Sequence, residues 1–216
     1  MGLGLALLTN KKGIKLKGMW RTIYILPYAM PAFISLLVFR LMFNGIGPIN
    51  NMLVNFGIER IPFFTDPILA KISVLAINTW VGAPYFMVLL SGSLTNISST
   101  LYEAAEIDGA TKMQQFKHIT LPMLLFQTAP VLILSFAYNF NNFGAIYLLT
   151  DGNPVNSNLK FAGETDILVT WLYKLTVNQQ QFGMAAVISI VLFAFIATVS
   201  LYNFRKSKSF TEEDMI

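Results

Sequence analysis

The chain has 216 residues, 55% hydrophobic and only 12% charged, with a mean hydropathy of +0.58. Soluble domains carry about 25% charged residues, so the balance argues against an ordinary soluble domain and for lipid as solvent. A net charge of +4 without clustered basic and aromatic residues gives no nucleic-acid face, and the absence of cysteine excludes disulfides and cysteine–zinc sites. In chain order, residues 2–8 are apolar, too short to cross a bilayer, and not preceded by the basic residues of a signal peptide. They are expected to be the end of a helix whose earlier part is missing, making this a single membrane domain incomplete at its amino terminus; a disordered apolar tail is the alternative. Four charge-free segments follow at 22–39, 72–102, 119–150 and 175–204, each accommodating a span of roughly 20 residues. The predicted spans are 22–43, 70–93, 121–149 and 181–204. Proline and glycine interrupt several of them, which membrane helices tolerate. The predicted fold is all-α, a polytopic transmembrane helical bundle.

The charges that remain orient the bundle. Lys11, Lys12, Lys15, Lys17 and Arg21 precede the first full span, Lys112 and Lys117 lie between the second and third, and Arg205, Lys206 and Lys208 follow the fourth. Those alternating segments hold ten of the fifteen basic residues, against Arg60, Lys71, Lys160 and Lys174 on the other side, with Arg40 at a helix end. Positive charge favours the cytoplasmic side, so the 99–118 loop and the carboxyl terminus are expected inside. The loops around 44–70 and 151–180 then face outward. The tail from 206 to 216, with Glu212, Glu213 and Asp214, is expected to be a solvated cytoplasmic end.

The loop between the second and third spans carries the most distinctive pattern. Ser99 or Thr100 can cap a helix whose first turn bears Glu103, where the helix dipole favours an acid. Ala104 and Ala105 let another surface approach closely. Asp108-Gly109-Ala110-Thr111 reads as a helix stop and turn, glycine supplying backbone angles costly for other residues. Asp108 or Thr111 then caps a second piece over 112–118, and Pro122 suits the first turn of the next span. His118, the single histidine, has no local acidic cluster, so neither metal nor cofactor is expected. An amphipathic interfacial helix alone accounts for Glu103 or the alanines taken singly. The full spacing, E-A-A-x3-G-x9-I-x-L-P over Glu103 to Pro122, resembles the signature loop of membrane permease subunits of ATP-binding-cassette (ABC) importers. That resemblance implies a type I permease core in which Glu103, Ala104, Ala105, Asp108 and Gly109 engage a cytoplasmic ATPase dimer. The chain has no phosphate-cradling G-x-x-x-x-G-K-[ST] sequence, so the motor is a separate polypeptide.

Polar residues recur inside the spans at helical spacing. Asn78, Gly82 and Tyr85 lie at i, i+4 and i+7 with Val81 beside them, and Ser135, Tyr138, Asn139 and Asn142 repeat the pattern on the next span. Tyr28 and Ala32 flank a Pro27–Pro31 pair expected to bend the first span. Polar side chains at membrane depth either bond another helix or line a cavity. Amides and tyrosines suit a sugar's hydroxyls and C–H faces, and the absence of a central charge argues against a charged cargo or proton relay. The segments 25–31, 78–85, 135–143, 148–154 and 163–169 resemble the larger, sugar-contacting permease of maltose/maltodextrin importers, a similarity running over essentially the whole chain. It implies that Tyr28, Asn78, Val81, Gly82, Tyr85, Ser135, Tyr138, Asn139 and Asn142 line an oligosaccharide pocket. Ala32 stands where well-known members have serine, and Tyr138 where they have phenylalanine, so the pocket's hydrogen bonding is rearranged.

The long polar segment 151–181, with an amphipathic piece at 166–175 bearing Trp171 and Tyr173, is a solvated connector on its residues alone. The resemblance implies contact there with an extracytoplasmic sugar-binding protein. The expected function is the pore subunit of an ATP-driven maltose/maltodextrin importer in a prokaryotic cell membrane. Its implied partners are a second homologous permease subunit, the ATPase dimer, the binding protein and membrane lipid. A permease for another neutral sugar or polyol is the alternative within transport. A membrane-embedded enzyme is disfavoured because the spans lack a catalytic acid, metal cluster or activated nucleophile.

Overall fold

The computed structural model describes residues 1–11 and 13–206. Lys12, Lys208 and the acidic tail with Glu212, Glu213 and Asp214 lie outside the described residues. The described chain is helical apart from turns, loops and one isolated antiparallel bridge between Val155 and Gly163. Among the described residues, three helices are long and apolar enough to cross a membrane. They become four if one broken pair counts as a single span. Large apolar side chains stand exposed on them, including Val187, Ile190, Val191 and Phe193 on the last helix. In water such a surface would be an association or aggregation hazard; in lipid it is solvated.

Helix α1 (Gly2–Asn10) is followed by α2 (Lys17–Ala29) and α3 (Ala32–Met42). The predicted span 22–43 is two helices that pass together as one broken span, with the break at the proline pair expected to bend it. Proline disfavours helical angles at the residue before it, and Pro31 also has no N–H to donate, so α2 stops and α3 starts with Pro31 as its N-cap. Pro27, in contrast, is accommodated inside α2. A short helix α4 (Pro48–Asn55) then appears in the 44–70 loop, with proline at its first position. Asn50 in α4 is fully buried; its amide donates to the carbonyls of Asn44 and Ile61 and its oxygen accepts from the Ile61 N–H at 2.8 Å. One side chain thus closes this loop on itself.

Helix α5 (Pro67–Thr95) covers the expected 70–93 span and carries Pro84 within it. Helices α6 (Ser99–Ile107) and α7 (Lys112–Gln115) form the next loop, and a π-turn over Phe116–Thr120 runs directly into α8 (Leu121–Phe140). Pro122 accordingly sits inside continuous helix rather than at a fresh start. The widened turn includes His118, whose carbonyl a regular α-turn would press against the proline ring.

The expected 121–149 span is also interrupted. Helix α8 ends at Phe140, and α9 (Phe143–Leu149) begins after Asn141 and Asn142. Asn142 accepts the Ala145 N–H as N-cap, an alternative to helix that asparagine offers the backbone more readily than apolar residues do. Helix α10 (Leu168–Tyr173), a second π-turn (Lys174–Asn178) and α11 (Phe182–Lys206) complete the chain.

Two compact units emerge. Among the described residues, the first comprises Met1–Leu26, Gly82–Ala137 and the chain from Ala197 to residue 206, the second Pro27–Val81 and Tyr138–Ile196. In the second, Leu36, Val74, Ile77, Ile146 and Leu149 form a buried cluster, with Phe39, Phe43, Phe64 and Val81 packed against it. Phe43 meets Phe63 edge-on at 5.0 Å, a favoured aromatic geometry.

Candidate functional site

The asparagines of the second unit converge. The Asn78 side-chain amide on α5 donates to the Asn139 oxygen at 3.4 Å, and Asn142 donates to the Asn78 oxygen at 3.0 Å. Asn78 therefore bridges the end of α8 and the start of α9. Because Asn142 also caps α9, the helix break and the polar cluster share one residue. The sequence stripe treated Asn142 as the last member of a single helix face; the break re-aims it, yet still leaves it against Asn78.

The other expected pocket residues are placed differently. Val81 packs on the apolar cluster of its unit, which makes it a support for α5. Tyr28 and Tyr138 are largely exposed, at 53% and 71%. Gly82, Tyr85 and Ser135 belong to the first unit, where Tyr85 contacts Phe86 edge-on at 5.3 Å.

Helix α9 continues the polar cluster toward the 150–180 loop. Its N-terminal residue Phe143 stacks on Tyr147, and both meet Tyr173 edge-on within 5.4 Å. Arg40 of α3 donates to the Leu148 carbonyl near its end, giving this basic residue a backbone acceptor at the negative pole of a helix. Thr150, buried, bonds Thr165 at 2.7 Å, and Thr165 in turn donates to the Asn153 carbonyl. Asp166 accepts from the Gly163 N–H at 2.6 Å and pairs with Lys174 at 2.7 Å, their side chains only 2% and 16% exposed. Gly152, at φ +77°, passes so close that an added Cβ would lie 2.0 Å from Asp166 Oδ1. No larger residue fits there, both for space and for backbone angle. Lys71 and Glu164 form a further pair at 2.5 Å. This loop is thus internally built, where its residues alone read as a solvated connector. The Asp166–Lys174 pairing went unseen because it depends on where a turn brings residues eight apart.

The loop bearing Glu103 lies in the first unit. Ser98 caps α6 by accepting from the Thr100 N–H, one residue earlier than the expected Ser99 or Thr100. Glu103, Ala104 and Ala105 follow on α6, with Glu103 and Ala104 exposed and Ala105 half-buried. Asp108 ends the helix, Gly109 takes φ +77°, and the Ala110 N–H returns to the Ala105 carbonyl, the left-handed closure that favours glycine. Of the two candidate caps for α7, Thr111 takes the role, with Gln114 reciprocating in a capping box. Ile107 and Met113, 87% and 72% exposed, flank this turn with apolar surface. His118 Nδ1 is paired with the Gln114 carbonyl, and no cluster of metal ligands occurs among the described residues.

The match to known proteins covers both regions. A family profile described as "Binding-protein-dependent transport system inner membrane component" matches residues 1–208. The galactooligosaccharides transport system permease protein GanP of Bacillus subtilis is 41% identical over 215 residues, covering 99% of this chain and 51% of that protein. The maltodextrin transport system permease protein MdxF of the same organism is 42% identical, covering 100% and 52%. The maltose/maltodextrin permease protein MalF of Vibrio vulnificus is 44% identical, covering 96% and 41%. The chain thus spans about half the length of these curated relatives or somewhat less. A crystal structure of a bacterial ABC transporter that imports the acidic polysaccharide alginate superposes with a TM-score of 0.79 at 26% identity, covering 96% of this chain and 71% of that one. The protein is a multi-pass, non-enzymatic transport component of the inner membrane, and it belongs to the family of binding-protein-dependent transport system inner membrane components.

Proposed function

We propose that this chain is the pore-forming, cargo-contacting part of an ATP-driven importer of neutral oligosaccharides, with maltodextrins as its cargo. The observation that carries the cargo class is the Asn78–Asn139–Asn142 cluster at the α8–α9 break. Three uncharged amides in stretches of chain free of Asp, Glu, Lys and Arg can exchange their mutual hydrogen bonds for sugar hydroxyls at little net cost, since bond is traded for bond. A polyanionic chain would need cations there, so alginate, the cargo of the superposed transporter, fits this cluster poorly. Tyr28 and Tyr138 of the same unit are the further residues proposed for the pocket. Two of the relatives are named for maltodextrin and galactooligosaccharide, both neutral polyhydroxylated chains, at nearly equal identity. A galactooligosaccharide cargo is therefore the second reading.

The work is alternating access around this site. A binding protein delivers sugar outside, and a separate ATPase dimer grips the loop through Glu103, Ala104, Ala105, Asp108 and Gly109. A second homologous permease closes the pathway from the other side. Broken helices that place their backbone groups at a central site are a recurring transporter design, and the breaks at Pro31 and Asn142 supply two. The basic residues before the first span, in loop 99–118 and after the last span support a cytoplasmic position for that loop and the carboxyl terminus.

The test is sugar-stimulated ATP hydrolysis by the assembled transporter in lipid nanodiscs. Maltotriose is expected to stimulate through the binding protein, galactotriose less, and an alginate trisaccharide not at all. Stimulation by galactotriose alone moves the assignment to the second reading. Stimulation by alginate alone contradicts the neutral-cargo argument.

A further inference from the structure

The covalent route from α6 to α8 passes through Asp108, the left-handed Gly109 and the four residues of α7, a path with a turn in its middle. A direct route bypasses it. Tyr102, on α6 beside Glu103, places its hydroxyl 2.8 Å from the Thr120 hydroxyl, eighteen residues on. Thr120 is 6% exposed and is the last residue of the π-turn that feeds α8. Its hydroxyl also reaches the Gln115 carbonyl at 3.5 Å, five residues back, inside the widened turn. The bond from α6 therefore enters the helix at the one place where its regular ladder is already re-spaced. The flanking contacts brace the same route. Gln115, 4% exposed, donates to the Ala110 carbonyl at 3.4 Å and accepts from Lys112, which pairs with Glu106 on α6.

We propose that the Tyr102–Thr120 hydrogen bond is the strut that makes α6 and the base of α8 move as one body, with Tyr102 and Thr120 as positioning residues for ATP-driven transport. The proposal rests on the reading of loop 99–118 as the ATPase-engaging loop. Without the strut, a push on α6 is absorbed by rotation at Gly109, whose left-handed angles hold no side chain in place. With it, the push arrives at Thr120 and passes into the base of α8. A π-turn is a common site for such a functional joint, because its ladder can re-register at low cost.

Two readouts test this. In proteoliposomes with maltotriose as cargo, sugar moved per ATP hydrolysed is expected to fall at least threefold in Tyr102→Phe and in Thr120→Val. Thr120→Ser, which keeps the hydroxyl, retains the wild-type ratio. A loss of folded or assembled protein lowers uptake and hydrolysis together and leaves the ratio unchanged, so the ratio separates a strut from a mere stabiliser. The second readout needs neither sugar nor nucleotide. The chain has no cysteine, so spin labels at Leu101→Cys and Leu125→Cys report one distance across the joint. Its distribution is expected to be narrow in wild type and Thr120→Ser and at least twice as wide in Thr120→Val. An unchanged ratio in a wild-type background that imports sugar, or an unchanged width, overturns the strut. A wild type that shows no ATP-dependent uptake instead contradicts the importer reading, and the distance measurement still decides the strut.

Discussion

Loops 99–118 and 150–180 differ in how their turns are closed and in how deeply their ion pairs lie. In 99–118 the turn is closed by neighbours: Ser98 to Thr100, Thr111 with Gln114, and Ala110 back to Ala105. Its Glu106–Lys112 ion pair is solvent-exposed, with side chains 54% and 81% accessible. In 150–180 the Thr150–Thr165 bond and the Asp166–Lys174 pair are buried. The turn of the first loop thus has a locally determined shape, and the Tyr102–Thr120 bond is its long-range tie to the base of α8. The second carries its own polar core, and its shape depends on every part of that core being present.

The contrast predicts unequal responses to substitution. The largest functional effect is expected at Gly109→Pro. Proline fixes φ near −65°, incompatible with the +77° found there, so the loop's single essential backbone angle is lost. Protein should insert normally yet fail at ATP-driven uptake; uptake at the wild-type rate and equal membrane abundance would show that the shape of this turn is not needed for coupling. The largest stability effect belongs to the other loop. Lys174→Met leaves the Asp166 carboxylate buried without its cation, which costs about 3–5 kcal/mol when one partner of such a pair is removed. Thermal unfolding of the purified protein in detergent, paired with protease sensitivity across 150–180, measures it. A cost no larger than that of an exposed pair would erase the distinction between the loops.

Smaller effects sharpen the same comparison. Thr111→Ala removes the cap of α7 and is expected to cost about 1 kcal/mol, since an N-cap satisfies one or two otherwise orphaned N–H groups. Helix protection by hydrogen exchange over 112–118 is the sensitive readout. Lys112→Met, at the exposed ion pair, should change stability by about 0.5 kcal/mol or less, because water screens the charges. A loss approaching that of Lys174→Met would mean that the 99–118 loop is buried by something more than its own chain.

Reach along the chain explains what was legible from sequence. The Asp108–Thr111 stop, Thr111 as one of two named caps and the helical character of the charge-free segments follow from residues within a turn of one another. Helix breaks were partly visible: Pro27 and Pro31 announced a bend, but only the structure separates the tolerated Pro27 from the terminating Pro31. At Asn142 a helical spacing and an N-cap compete, and the spacing misled because three asparagines in four residues favour capping. The amide cluster itself was half legible. Two stripes pointed to Asn78, Asn139 and Asn142, while Val81 sits on the stripe yet packs into the apolar cluster. Asn50 and the Asp166–Lys174 pair carried no local signal, since what defines them is burial created by distant chain.

Asn78, Asn139 and Asn142 are the proposed place where cargo is held while the 99–118 loop is driven. The direct measurement is ATP-dependent uptake of labelled maltotriose by proteoliposomes containing the assembled transporter, wild type against Asn139→Ala at equal reconstitution. Asn139→Ala is expected to lower uptake at least tenfold at subsaturating sugar, with the loss concentrated in the apparent affinity for maltotriose. Wild-type uptake by Asn139→Ala, with unchanged affinity, would contradict the account.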